Sequence, residues 1–180
     1  MDEQTPTPKQ SKKLSDRELA ILNAADPHAA TSTKPWEFEV TSGFMKKVAV
    51  GLIVLIMAWH IFMGAVVDVE FTGAAVTPVD KIAYPGVGVI LSILAWIMFT
   101  RPRVRANEDG VEVRNIIGTR FYPWLVVYGL SFPQGSRMAR LELPDFEYVP
   151  LWAIQSGDGE KALQAVRDFR DLEAKYMPED

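Results

Sequence analysis

Residues 48–67 read VAVGLIVLIMAWHIFMGAVV, an apolar run without a formal charge. About twenty such residues are what an α-helix needs to cross a hydrocarbon core roughly 30 Å thick. A second run, IAYPGVGVILSILAWIMF at 82–99, is shorter and carries Pro85 and Gly86 near its beginning, where a helix tolerates them best. The reading is two transmembrane helices, 44–67 and 82–100, joined by a short external loop at 68–81. A cleavable signal would sit at the N-terminus, whereas here a long polar segment comes first, so both spans are expected to be retained as anchors. Lys46 and Lys47 precede the first span and Arg101, Arg103 and Arg105 follow the second, while the loop offers Lys81. That asymmetry predicts a plasma-membrane protein with both termini in the cytoplasm.

Within the spans, His60 is an ionisable ring in hydrocarbon and needs a partner. A haem would require a second axial ligand and a proton path further ionisable groups. The second span offers Tyr84 and Ser92, so a structural hydrogen bond is the expectation for His60. Gly88, Ser92 and Ala95 recur at helical spacing as a stripe of small residues that admits a close helix, either the first span or another protein. Trp59 and Trp96 suit an interfacial belt or packing against another helix, and packing is the expectation because neither lies at an extreme end of its span.

Composition removes several chemistries. Cysteine is absent and histidine occurs twice, which excludes disulfide frameworks, thiol catalysis and the common zinc and iron–sulfur ligand sets. A net charge of -4 spread thinly along the chain argues against nucleic acid. Ser131, Ser136 and Ser156 are nucleophile types, but no histidine shares their part of the chain to activate them, so no catalytic residue, cofactor or metal is expected.

Ahead of the spans, residues 1–43 read as a polar cytoplasmic tail. Its first part, with Pro6 and Pro8, lacks the apolar surface to order itself. A capping box follows, Ser15 with Glu18 three residues on, leading Leu19, Ile21 and Leu22 on a short helix near 15–25. So short a helix is marginal alone and needs a surface. The expectation is a docking arm that clamps a partner through Leu19 and Leu22.

After Arg105 the apolar period becomes two. Val104, Ala106, Val111 and Val113 flank the turn Asn107-Glu108-Asp109-Gly110, a hairpin signal. Further turns at 117–119 and 133–136 separate short strands, including 126–132 and 138–143. The chain then closes on a helix capped by Ser156 or Asp158, with Leu163, Val166, Phe169, Leu172 and Tyr176 at helical spacing. Trp124 and Trp152 read as core. The stretch EDGVEVRNIIGTR at 108–120, Tyr122-Pro123-Trp124 and VPLWAIQ at 149–155 together resemble the bacterial pleckstrin-homology-like domains of actinobacterial membrane proteins, which commonly follow one or two spans. The resemblance implies an α+β domain over 101–180, a strongly bent seven-stranded antiparallel barrel or sandwich capped by one C-terminal helix. It also implies a binding module without catalysis. In phosphoinositide-reading members the first hairpin is basic; here it carries Glu108 and Asp109, which argues against headgroup recognition through that loop.

The whole chain is also similar to the small accessory subunits that decorate the actinobacterial assembly of cytochrome bc complex and terminal oxidase. That likeness implies an accessory protein stabilising contacts among other integral membrane subunits. The alternative reading is a membrane-anchored module sensing anionic lipid or a cytoplasmic partner, with Arg101, Arg103 and Arg105 each gaining about 1 kcal/mol from anionic lipid. As plain topology determinants the same arginines need no lipid partner.

Overall fold

Alternation drives the first hairpin. In the computed structural model, which describes residues 15–25, 31–66 and 78–177, β2 (Arg103–Asn107) and β3 (Gly110–Arg114) pair antiparallel with Val104 opposite Val113 and Ala106 opposite Val111. All four side chains are buried. Asn107 faces Gly110 across a two-residue turn. β4 (Thr119–Pro123) extends this sheet on one edge, and β5 (Gly129–Ser131), β6 (Met138–Glu142) and β7 (Tyr148–Gln155) form a second antiparallel sheet. The segment 126–132, expected as one strand, divides instead into a 3-10 turn at Trp124–Val126 and the short β5.

The other edge of the first sheet is occupied by β1 (Phe38–Val40), which comes from before the apolar helices. Val40 pairs with Val104, so everything between them is an insertion between two neighbouring strands. The segment read as tail up to residue 43 is therefore in part a strand of the domain. Among the described residues there are seven strands, only six of them within 101–180 where seven were expected; they are split four and three and make no closed barrel. Asn115 clips the two sheets together at a corner: its Nδ2 donates to the Pro150 carbonyl at 2.9 Å and its Oδ1 accepts from the Trp152 amide at 3.4 Å.

α4 (Glu160–Tyr176) closes the domain by burying Ala162, Ala165, Val166, Phe169 and Leu172. Leu163, expected on that face, is exposed instead, because the alanines one turn apart carry the stripe. Phe169 meets Phe38 edge-on with ring centroids 5.7 Å apart and lies 5.8 Å from the Trp124 ring. Trp124 is core as expected, and its Nε1–H donates to the Asn107 carbonyl at 2.8 Å. That hydrogen bond lets an indole lie buried without an unmet donor.

The inserted segment forms α2 (Gly43–Val66) and α3 (Pro78–Thr100), helices of mean hydropathy 2.3 and 2.0 that are long and apolar enough to cross a membrane. α3 starts before residue 82, so Pro85 is an interior residue of the helix and the loop placed at 68–81 is shorter than read. Residues 68–77 of that loop lie outside the described residues, as do Val67 of the first span and residues 1–14 and 26–30 of the tail. Gly64 and Gly88 set the spacing between the two helices. A Cβ at Gly64 would stand 3.4 Å from Pro85 Cδ, and one at Gly88 would come within 2.9 Å of the His60 Cβ. Away from this seam the helices present apolar side chains outward, among them Val54, Leu55, Ile90 and Ile93. His60 Nδ1 lies 2.8 Å from the Ile56 carbonyl of its own helix; a carbonyl only accepts, so Nδ1 is the donor.

Candidate functional site

The N-terminus of α2 is held by the domain. Ser42 Oγ accepts the Met45 amide at 3.1 Å and donates to Asp158 Oδ2 at 2.5 Å, while Asp158 Oδ1 accepts the Phe44 amide at 2.7 Å. Asp158 therefore does not cap α4, as the sequence suggested; Gly159 stands at that N-cap, with no side-chain hydrogen bond. The carboxylate satisfies orphan amides of α2 instead and places a negative charge at the positive end of that helix. Next to it, Gly157 lies against Phe44, where a Cβ would collide with the ring at Cδ2. These contacts fasten the apolar hairpin to the sheet domain. Asp158→Ala should lower the stability of the domain by about 1–2 kcal/mol, since it removes a cap that Ser42 alone cannot replace. A thermal melt followed by tryptophan fluorescence should drop by several degrees. An unchanged midpoint would show that the joint holds without the carboxylate.

On the outer face of the first sheet, charges are matched in part. Arg105 Nε lies 3.1 Å from Glu39 Oε2, and its guanidinium sits 5.6 Å over the Trp36 ring. Arg103 is more distant, at 3.8 Å from Glu39 and 3.7 Å from Glu112. Glu112 is buried despite its outward position, because the preceding segment covers it and the Thr31 hydroxyl donates to it at 2.7 Å. For Arg101 and Arg114 no ion pair is present among the described residues.

At the far end of the same hairpin the acidic turn is occupied from within the chain. Lys34 Nζ lies 2.8 Å from Glu108 and 2.7 Å from Asp109, whose other oxygen accepts from Ser32 at 2.6 Å. Hydrogen bonds from Lys34 and then Ser32 hold the Asp109 carboxyl below its ordinary range, and the Asp109 and Glu108 acceptors hold the Lys34 ammonium above its own. The first hairpin is thus closed over its own lysine.

The remaining residues singled out by sequence fall as follows. The capping box is realised, with the Glu18 carboxylate accepting the Ser15 amide at 2.7 Å and the Glu18 amide donating to Ser15 Oγ at 3.2 Å. Its helix, α1 (Asp16–Ala25), packs on β4 and the Trp124–Val126 turn of its own chain through the buried Ala20. Leu19 stays 45% exposed, and the Leu22 side chain lies outside the described residues. Gly88, Ser92 and Ala95 are buried, with Gly88 seated on His60 and Met57 of α2, so the stripe faces the first apolar helix. Among the described residues no group of three histidine, cysteine, aspartate or glutamate side chains is placed to hold a metal. Sequence reasoning missed the turn Pro144-Asp145-Phe146-Glu147, where Asp145 and Phe146 have φ of 59° and 62° and the Phe146 ring is fully exposed. Aspartate tolerates that conformation better than most residues but phenylalanine does not, so two such residues in succession carry no local signal that announces the turn.

Comparison with known proteins agrees with this architecture. Residues 101–172 match the bacterial PH domain model. The uncharacterized protein Rv1417 of Mycobacterium tuberculosis is 39% identical over 125 residues, which is 69% of this chain and 80% of that protein. The uncharacterized protein Mb1452 of Mycobacterium bovis aligns to the same extent. No solved structure matches the chain. Over residues 101–172 the chain carries a bacterial PH domain, and over most of its length it belongs to one family with these uncharacterized mycobacterial proteins.

Proposed function

We propose that this protein is a non-catalytic accessory subunit, anchored in the plasma membrane by α2 and α3 with both termini cytoplasmic, that stabilises contacts among larger integral membrane proteins. The observation that carries this reading is the insertion of the apolar hairpin between β1 and β2, fastened by Asp158 on the Ser42 and Phe44 groups. A domain tethered by a linker would swing; one built on both sides of its anchor is held at a set distance and angle from the bilayer, as a contact platform requires. The outward apolar faces of α2 and α3 are available to lipid or to partner helices. The exposed Phe146 and half-exposed Leu19 add apolar surface on the domain side. On the sequence resemblance, the partner assembly is the cytochrome bc complex with its terminal oxidase.

Tagged protein purified in gentle detergent should bring these partners with it, read as haem absorbance and by identification of the co-purifying chains. Substituting Leu19→Ser together with Leu22→Ser should reduce that recovery, because each leucine buried on a partner contributes about 1.5–3 kcal/mol before the arm's ordering cost. Recovery of the tagged chain alone would overturn the accessory role. Full recovery with both leucines replaced would remove the arm from the interface.

A further inference from the structure

Where α3 runs out into β2, a cavity of about 410 Å³ opens between helix and sheet. Its lining changes in polarity along its length. Trp96 and Ile97 come from the last turns of α3, Thr41 and Thr100 sit beside the helix end, and Arg101, Arg103 and Arg114 follow, with Glu39 as the single carboxylate. The strand register explains the crowding of charge, since Arg103 and Arg114 are direct cross-strand partners on one face. Like charges so placed repel unless an anion lies between them.

The chain does not supply that anion in full. Glu39 is shared with Arg105, its closer partner, and Glu112 is already taken up by Thr31. The Nε atoms of Arg101, Arg103 and Arg114 are all enclosed without a hydrogen-bond acceptor; that of Arg105 is enclosed likewise but has the Glu39 carboxylate 3.1 Å away. A buried guanidinium donor left unmet is costly, and three around one cavity point to a missing group with several acceptor oxygens. Guanidinium groups match phosphate oxygens in geometry and charge. The apolar end of the cavity adds a second requirement, because an ion in water would leave Trp96 and Ile97 unused. At the same end of the sheet, the β3–β4 turn holds Ile117 at 89% exposure, two positions from Thr119, which pairs with Arg114. A large aliphatic side chain there suits the boundary between headgroups and acyl chains.

We propose that this cavity binds the phosphate of an anionic phospholipid. Arg101, Arg103 and Arg114 take its oxygens together with the Thr41 hydroxyl, the Thr100 hydroxyl being already donated to the Trp96 carbonyl at 2.7 Å, and Trp96 and Ile97 receive the first methylenes of its chains. The site rests on the reading of α2 and α3 as membrane spans. Arg105, paired with Glu39 and stacked on Trp36, lies outside it.

The full chain in a detergent micelle, titrated with phosphatidylglycerol, phosphatidylcholine or inorganic phosphate and read by native mass spectrometry, tests the site. One phosphatidylglycerol should be retained at a concentration at least about tenfold below that needed for phosphatidylcholine, and inorganic phosphate should compete poorly. Arg101→Gln with Arg114→Gln should weaken phosphatidylglycerol about thirtyfold and leave phosphatidylcholine unchanged. Lys46→Gln with Lys47→Gln, which removes exposed charge at the same end of α2, should keep the preference. Arg114→Gln alone, on strand β3 and outside the helix–strand junction itself, gives the same test with a smaller loss should the double variant misfold. Equal retention of the two lipids, or a preference that survives loss of both arginines, would overturn the proposal. Displacement by inorganic phosphate at equal concentration would overturn its lipid form. A chain that stays soluble without detergent and fails to enter liposomes would overturn the membrane reading as well, which separates that failure from failure of the site.

Discussion

Phe169→Ala should destabilise the domain by about 3–5 kcal/mol, the cost of emptying a fully enclosed aromatic site. Phe169 has no exposed surface and sits where α4, β1 and the Trp124 turn converge. Its neighbours cannot close the gap easily, because Phe38 is tied into the sheet through the Glu37 amide bond to the Ala106 carbonyl and Trp124 is held by its bond to Asn107. Domains of this size keep about 5–15 kcal/mol in total, so the variant should unfold at much lower denaturant and melt well below the parent. Phe169→Leu, which refills most of the volume, should cost far less. Denaturant titration followed by tryptophan fluorescence measures both. A loss under about 1 kcal/mol for alanine would mean that α4 is not the closing element of the core.

Gly110→Ala is expected to cost about 3 kcal/mol or more, through backbone rather than packing. Gly110 has φ of 157°, and a Cβ there would collide with the Tyr122 carbonyl oxygen and stand 2.8 Å from Pro123 Cα. Both obstacles are main chain in the paired β4, so no side-chain rotation relieves them. Gly118→Ala is the matching control: φ is 84°, but no atom lies within 4 Å of its would-be Cβ. It should lose only the left-handed penalty, about 1–2 kcal/mol. The difference between the two variants reads the collision itself. Equal losses would show that β4 shifts to admit a methyl group. Hydrogen exchange at Val111 and Val113, whose residues pair with β4 and β2, locates any shift.

How much of this was legible beforehand follows from the range over which each signal acts. The hairpin at 107–110 was visible because turn chemistry and alternation lie within a dozen residues of one another. The apolar helices were visible by length alone. β1 was not, since three residues preceding a helix carry no pattern of their own and gain their partner only after the whole insertion has passed. Asp158 was recognised as a cap, yet assigned to the wrong helix, because a capping side chain looks the same in sequence whichever helix end lies beside it. Glu112, which alternates with Val111 and Val113, is buried by the Thr31 segment, and that cover is remote in sequence. The arginine cluster was half visible. Arg101 and Arg103 flank the second apolar run, whereas Arg114 joins them through a strand register that composition does not reveal, and Arg105 leaves the group by pairing with Glu39.

The placement of the helical hairpin between β1 and β2 also has a bearing on biogenesis. As the chain emerges from the ribosome, Phe38–Val40 must wait unpaired until both apolar helices have been made and brought together, because only then does Val104 arrive beside Val40. Pairing across so long a separation is slow, and an unpaired edge invites association with other chains or cleavage. Completion of the sheet therefore reports that the helical hairpin has formed. A nascent protein whose two helices fail to come together leaves the β2 edge exposed to the proteases of the cell.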